Sequence, residues 1–331
     1  MLVNMKVRRY DPESDAPPRY QAYSLDVPRY TTVLDALIQI REEIDGTLAL
    51  RCSCRSAICG SCAMRINGRA RLACKTKILT LAPHGEEVVV EPGGNLPVIK
   101  DLVVDMTPFW NKIKAVQPWL QPAGQPPERE YIVPNERMLD LAGVMDCIMC
   151  GACVMDCTVF DAELQMGKPT DTTFLGPAAL AKAYRFVGDP RDSATNDRLR
   201  VLSEATGIWD CTHCFECVEV CPKHVAPMER ILALRRAATE AGFTDNSGSR
   251  HSEAFADSVR QSGWLNEFTL IQKSIGFNIG ELLRLLPGGM RMLFRGKTPS
   301  PIHRPLPQVE SVRRIFDTFE KRPQQSREGS P

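Results

Sequence analysis

Apolar and polar residues alternate over residues 3–10 and 20–27, the period of half-buried strands. The polar run Asp11 to Arg19 between them predicts a turn. From Val33 the period changes to helical: Val33, Leu34, Leu37, Ile38 and Ile44 recur on one face, with Thr31 or Thr32 placed to cap the first turn. A helix is expected there to about Asp45. AMRI-NG-RARLA predicts a hairpin turning on Asn67-Gly68, and EEVVVEP predicts a further strand. Residues 1–105 thus read as a small sheet folded around one helix. Residues 118–134 are rich in proline and predict an extended strap. From Asn135 the strand pattern gives way to helical stretches at 135–145, 177–187, 196–206 and 226–240. Beyond 240 a helix is expected over 251–273. An apolar, arginine-bearing stretch follows, IGFNIGELLRLLPGGMRMLFRGK, with a break at Pro287-Gly288-Gly289. The last ten residues have the composition of a disordered tail.

Charge changes this picture little. The 331 residues carry 41 Lys and Arg against 40 Asp and Glu, a balance that gives no reason to expect a nucleic-acid partner. No run of 18 apolar residues occurs, so the chain is not expected to span a membrane by itself. Its start lacks the apolar core of a signal peptide, which predicts a cytoplasmic protein.

Cysteine changes it more. The thirteen cysteines fall into three groups. Cys54-x4-Cys59-x2-Cys62 with Cys74 after eleven intervening residues is the plant-type [2Fe–2S] spacing. With Asn67-Gly68 as the hairpin loop, Cys62 falls opposite Ala73, which makes Cys74 its diagonal neighbour. Cys52 does not fit and reads as a spare, half-buried thiol. Cys147, Cys150, Cys153 and Cys157 follow the bacterial ferredoxin spacing. Cys211, Cys214, Cys217 and Cys221 repeat it, now with Pro222. In such a pair the fourth cysteine of each run ligates the other run's cluster. Cys147, Cys150, Cys153 and Cys221 are therefore expected to hold a [4Fe–4S] cluster. Cys157, Cys211, Cys214 and Cys217 are expected to hold a third cluster, [4Fe–4S] if Cys214 ligates and [3Fe–4S] if it points away. Disulfides suit neither a reducing cytosol nor two-residue gaps, and structural zinc favours separated pairs. The fold class expected is α+β: a plant-type ferredoxin (β-grasp) domain over 1–105, an all-α bacterial-ferredoxin-like two-cluster domain over 106–240, and a helical extension over 241–331. His84, His213, His224, His251 and His303 form no ligand pattern, and no glycine-rich flavin, nicotinamide or nucleotide motif occurs. Electrons must enter and leave through partners.

RCSCRSAICGSCAMRING followed by LACKTKI resembles the first-cluster region of the iron–sulfur subunits of succinate dehydrogenase and fumarate reductase. PVIKDLVVDM at 97–106 resembles the close of that family's first domain, and LGPAALAKAYRFVGDPRD at 175–192 its inter-cluster helix. The resemblance covers about residues 1–240. It implies a respiratory oxidoreductase complex in which this subunit has no substrate site of its own. A FAD-containing flavoprotein would oxidise succinate, or reduce fumarate in the reverse direction. A membrane-anchor or cysteine-rich subunit would hold quinone near the third cluster. The chain would lie peripherally at the cytoplasmic face of a prokaryotic inner membrane. Three positions depart from the family: Cys214 stands where a non-cysteine residue is usual, Thr158 replaces a proline with Asp161 and Ala162 in place of a tryptophan pair, and Thr212 replaces a histidine that helps at the quinone site. The residues after 240 also exceed the family's usual length and resemble, loosely, subunits that work with heterodisulfide-reductase-like partners. An iron–sulfur wire for another flavoprotein is the alternative. A free ferredoxin-like carrier would lack the strap and extension, and wires for glycolate or glycerol-3-phosphate oxidation generally lack the plant-type group.

Overall fold

The computed structural model describes residues 1–14, 16–125, 127–276, 279–298, 300 and 304–321; His303 and the expected tail at 322–331 lie outside them. The chain forms two compact units, 1–237 and 238–331.

The first unit opens with strands β1 (Leu2–Arg9) and β2 (Arg19–Asp26), paired antiparallel with Met5 opposite Tyr23. Helix α1 (Val33–Gln39) follows, its end widened into a π-helical turn over Ile40–Ile44. Thr32 caps it reciprocally: its hydroxyl accepts from the Asp35 N–H while Asp35 accepts from the Thr32 N–H. Strands β3 (Ala63–Ile66) and β4 (Arg69–Leu72) form the hairpin. Short helix α2 (Ile78–Leu81) leads to β5 (Val88–Glu91), and a small pair, β6 (Val98–Lys100) and β7 (Val103–Val104), closes the region. The sheet order is β2-β1-β5-β3-β4, with β1 and β5 parallel. Val3, Met5 and Val7 alternate inward onto Leu34, Leu37 and Ile40 of the helical segment, which makes the core. Arg9 occupies the next inward place in that alternation and is buried. It donates to Asp101, Asp45, Tyr23 and Thr47, while Asp101 also accepts from the Ala49 N–H at 2.8 Å. This network fixes the chain just ahead of the first cysteine loop.

Helix α3 (Thr107–Ala115), which the pattern did not predict, precedes the strap. The strap has no regular structure among its described residues. The buried Arg198 holds it, donating to the carbonyls of Val116, Gln117 and Trp119 while paired with Asp192 at 3.0 Å. The rest is helical among the described residues: α4 (Asn135–Leu139), α5 (Ala152–Met155), α6 (Thr158–Gln165), α7 (Pro177–Val187), α8 (Thr195–Leu202), α9 (Glu216–Glu219) and α10 (Pro227–Glu240). The expected 135–145 helix stops at Leu139, and after Gly143 at φ +78 only a 3-10 turn follows, Val144–Asp146.

In the second unit the single helix expected over 251–273 is two. Helix α11 (Ser247–Ser262) ends on Gly263 at φ +77, and Asn266 caps α12 (Glu267–Ile275) by accepting from the Thr269 N–H. The break expected at Pro287-Gly288-Gly289 is absent, and α13 (Ile279–Phe294) runs through it. Proline removes one intrahelical donor there, and the leucine-rich flank favours helix strongly enough to continue. The last helix, α14 (Val309–Lys321), is tied to α11 by an Arg260–Asp317 ion pair at 2.6 Å.

Candidate metal centres

Residues 51–62 form an irregular loop between the Arg9 network and the hairpin. Arg55, Ala57 and Gly60 take positive φ, which curls the backbone so that its amides face inward. The N–H groups of Ser56, Ile58 and Cys59 point at the Cys54 sulfur at 3.3–3.4 Å, and the Ala57 N–H points at that of Cys74 at 3.3 Å. Such donors are what a metal-bound sulfur accepts from its surroundings. The hairpin ladder continues past β3 and β4, with the Ala73 N–H donating to the Cys62 carbonyl, and so delivers Cys74 beside Cys62. Burial pushes the Cys62 thiol up to about 12, whereas the Ser61 hydroxyl, with Cys54 and the local amides, draws Cys59 down to about 6. Cys52 is half-buried and packs against the core of the sheet.

The two later runs share one local geometry. Each begins after a 3-10 turn, Val144–Asp146 and Ile208–Asp210. Met149 and His213 then take φ +56 and +57, and Gly151 and Phe215 take +78 and +65. Short helices α5 and α9 follow and pack together. Cys147, Cys150, Cys153 and Cys221 line one hollow, with Ile148, Ala181 and Val225. Cys157, Cys211, Cys214 and Cys217 line another, with Phe174, Met228 and Ile231. Each run thus sends its last cysteine to the other's hollow. Burial pushes Cys150 and Cys157 up to about 11 and Cys217 to about 12, and raises Cys153 as well. Four thiols that burial drives toward neutrality suit a site where metal replaces their protons. Among the described residues no three His, Cys, Asp or Glu side chains converge on a point that could hold a single metal ion.

The first loop abuts the second group directly. A Cβ on Gly60 would lie 2.7 Å from Cys150 Cβ and 2.8 Å from its Cα, so only glycine permits this approach. Asp156, between Cys153 and Cys157, accepts from Arg65 of β3 at 3.0 Å and from the Ala70 N–H of β4 at 2.7 Å. Arg65 also donates to the Met155 carbonyl, and Asn95 donates to the carbonyls of Val154 and Cys157. Cys153 in turn lies within electrostatic reach of Cys217. Arg65, Asn95 and Asp156 escape a reading based on cysteine spacing. Their one sequence-level signal is a carboxylate set inside a ligand run.

Two histidines have defined partners. His213 Nε2 lies 2.6 Å from Nη1 of Arg235, and burial, then that guanidinium, lowers its pKa. Arg235 itself donates to the carbonyls of Ile208 and Cys211, the latter at 2.8 Å, which braces the start of the last cysteine run. His251 meets Ser274 at 3.0 Å.

Two family models match the chain: a 2Fe-2S iron–sulfur cluster binding domain over residues 4–111 and a 4Fe-4S dicluster domain over residues 143–225. The fumarate reductase iron–sulfur subunit of Mycobacterium tuberculosis is 41% identical over 242 residues, 72% of this chain and 94% of the relative. The mitochondrial succinate dehydrogenase [ubiquinone] iron–sulfur subunit of Dictyostelium discoideum is 38% identical over 239 residues, 71% of this chain and 82% of the relative. Among solved structures, a chain of the Mycobacterium smegmatis Sdh1 complex in the apo form superposes with a TM-score of 0.64 at 25% identity, covering 74% of this chain and 98% of that one.

Proposed function

The chain belongs to the family of succinate dehydrogenase and fumarate reductase iron–sulfur subunits, and from that premise we propose that it relays electrons between a FAD-containing succinate-oxidising subunit and membrane quinone. The reverse direction is fumarate reduction. Iron–sulfur clusters bound to the three thiol groups supply one-electron relay sites. Cys54, Cys59, Cys62 and Cys74 would hold a [2Fe–2S] cluster in a β-grasp domain. Cys147, Cys150, Cys153 and Cys221 would hold a [4Fe–4S] cluster. Cys157, Cys211, Cys214 and Cys217 would hold the third, which we assign as [4Fe–4S]. The donor sets fit: every position is a soft thiol, and inward N–H groups point at the sulfurs of Cys54, Cys74 and Cys221. No described helix is long and apolar enough to cross a membrane. On this reading, which rests on the family and not on that absence, the chain would lie peripherally at the cytoplasmic face of the inner membrane, with a membrane-anchor or cysteine-rich subunit beside the third group.

The observation that carries this reading is the contact of Gly60 with Cys150, which sets the first and second thiol groups against each other. The two later runs then exchange their last cysteines. Continuous adjacency of three thiol groups is what a relay needs and what a storage or structural role does not. Tagging this chain in native membranes should co-purify a flavin-bearing subunit and yield succinate-driven quinone reduction. Gly60→Val, which forces a side chain against Cys150 at a positive-φ position of the first loop, should weaken the [2Fe–2S] signal and slow succinate reduction of the two later clusters, seen by freeze-quench paramagnetic resonance. Absence of any flavoprotein in the purified complex would sink the proposal.

A further inference from the structure

Helix α13 lies outside both family-model matches, the second of which ends at residue 225. Ile279, Leu283, Leu286, Met290, Leu293 and Phe294 recur at steps of four, three, four, three and one, which places them on one face of the helix. That face is not buried: these side chains stand 46–81% exposed. Arg284, Arg291 and Arg295 recur at steps of seven and four and flank that face on one side, with Lys297 just beyond the end, while Leu285 and Met292 lie exposed farther round. Glu281 is the one acid in the sequence between 279 and 297. Sixteen residues span roughly 24 Å as a helix, short of the ~30 Å hydrocarbon core, and the arginines forbid burial all round.

We propose that α13 docks on an anionic membrane surface, its apolar face sunk into the boundary between headgroups and acyl chains and its arginines among the lipid phosphates. Charge selects this occupant. An apolar stripe flanked by a single-sign cationic row is complementary to a bilayer, which offers a continuous apolar layer beneath a sheet of phosphates. A second copy of α13 would present the same positive charge and no acidic row to meet it. The placement supplies a membrane contact that belongs to this chain itself, and it holds whatever becomes of the electron-transfer reading.

The test uses the full chain with its clusters reconstituted anaerobically. It is co-sedimented with vesicles of phosphatidylcholine alone or mixed with phosphatidylglycerol. The chain should bind the anionic vesicles, and added salt should weaken the binding. Substituting Leu286→Glu and Met290→Glu together should abolish it. Substituting Arg284→Gln, Arg291→Gln and Arg295→Gln together should weaken it on the order of a hundredfold, at about 1 kcal/mol per cation. Both variants alter exposed positions, so their cluster absorbance should match the parent's. Failure of the parent chain to bind anionic vesicles, or undiminished binding by both variants, overturns the proposal. So does a parent dimer that the Leu286→Glu and Met290→Glu variant dissolves without any vesicle binding, or a co-purifying subunit lost in that variant under the same condition.

Discussion

Three backbone N–H groups converge on the sulfur of Cys54, whereas Cys52 spends its side chain on the core of the sheet. Donors aimed at a sulfur orient it and tune a bound metal; apolar packing does neither. Cys54→Ser is therefore expected to abolish the reduced-state [2Fe–2S] resonance, and Cys52→Ser to leave it intact at a stability cost of about 1 kcal/mol. Paramagnetic resonance of the two dithionite-reduced variants decides it, and loss of the signal in the Cys52 variant alone would reverse the assignment. Spacing alone separates these two cysteines on paper, because plant-type ligation needs four residues between its first pair. It says nothing of Arg9, which the alternation of β1 predicts to be an inward apolar position. Its burial is legible only once Asp45, Tyr23 and Asp101 are seen around it.

The first two strands were legible to within about a residue because one face of each is buried and a slip would turn every side chain over, whereas the short pair β6 and β7 was not read as strands. Helix ends were less legible. Gly263 ends a helix through positive φ, α4 ends at Leu139 without a glycine, and Pro287 does not end one, which local composition cannot rank. Least legible was the joint between the sheet and the helical region, since it is made by pairs some 90 positions apart. Asp156 is its centre: the carboxylate is almost fully buried, and it accepts from both Arg65 and the Ala70 N–H. Removing it strands a charge and an amide, so Asp156→Ala should cost about 3 kcal/mol. Asp161→Ala, on the exposed side of α6, should cost under about 0.5 kcal/mol. Thermal unfolding under anaerobic conditions measures both. If the joint also sets the spacing of the first two thiol groups, the Asp156 variant alone should lose magnetic coupling between their reduced clusters. Equal stability of the two variants would show that the joint rests elsewhere.

Across the whole molecule the two later runs read as one device used twice. The second run repeats the first turn for turn, with φ +57 at His213 against +56 at Met149, and +65 at Phe215 against +78 at Gly151. Cys214 therefore stands in the loop position that Cys150 holds in the first run, and it lines the hollow shared by Cys157, Cys211 and Cys217. A three-iron cluster persists where one corner of the cube lacks a thiolate; with Cys214 as a ligand no corner would lack one, and soft thiolates favour iron at each. The added iron and thiolate change the cluster's charge and hence its potential. A shift of about 59 mV alters a one-electron equilibrium tenfold, so on the proposed reading the identity of this one residue would set how readily the last relay site gives up its electron. Anaerobically purified protein should contain about ten irons per chain (two, four and four) and lack the oxidised-state resonance of a three-iron cluster. Cys214→Ser should lower the count to about nine and bring that resonance in, with the other two clusters unchanged. About nine irons and a strong three-iron signal in the unsubstituted chain, without exposure to oxygen, would mean that Cys214 stays outside the cluster despite its place in the turn.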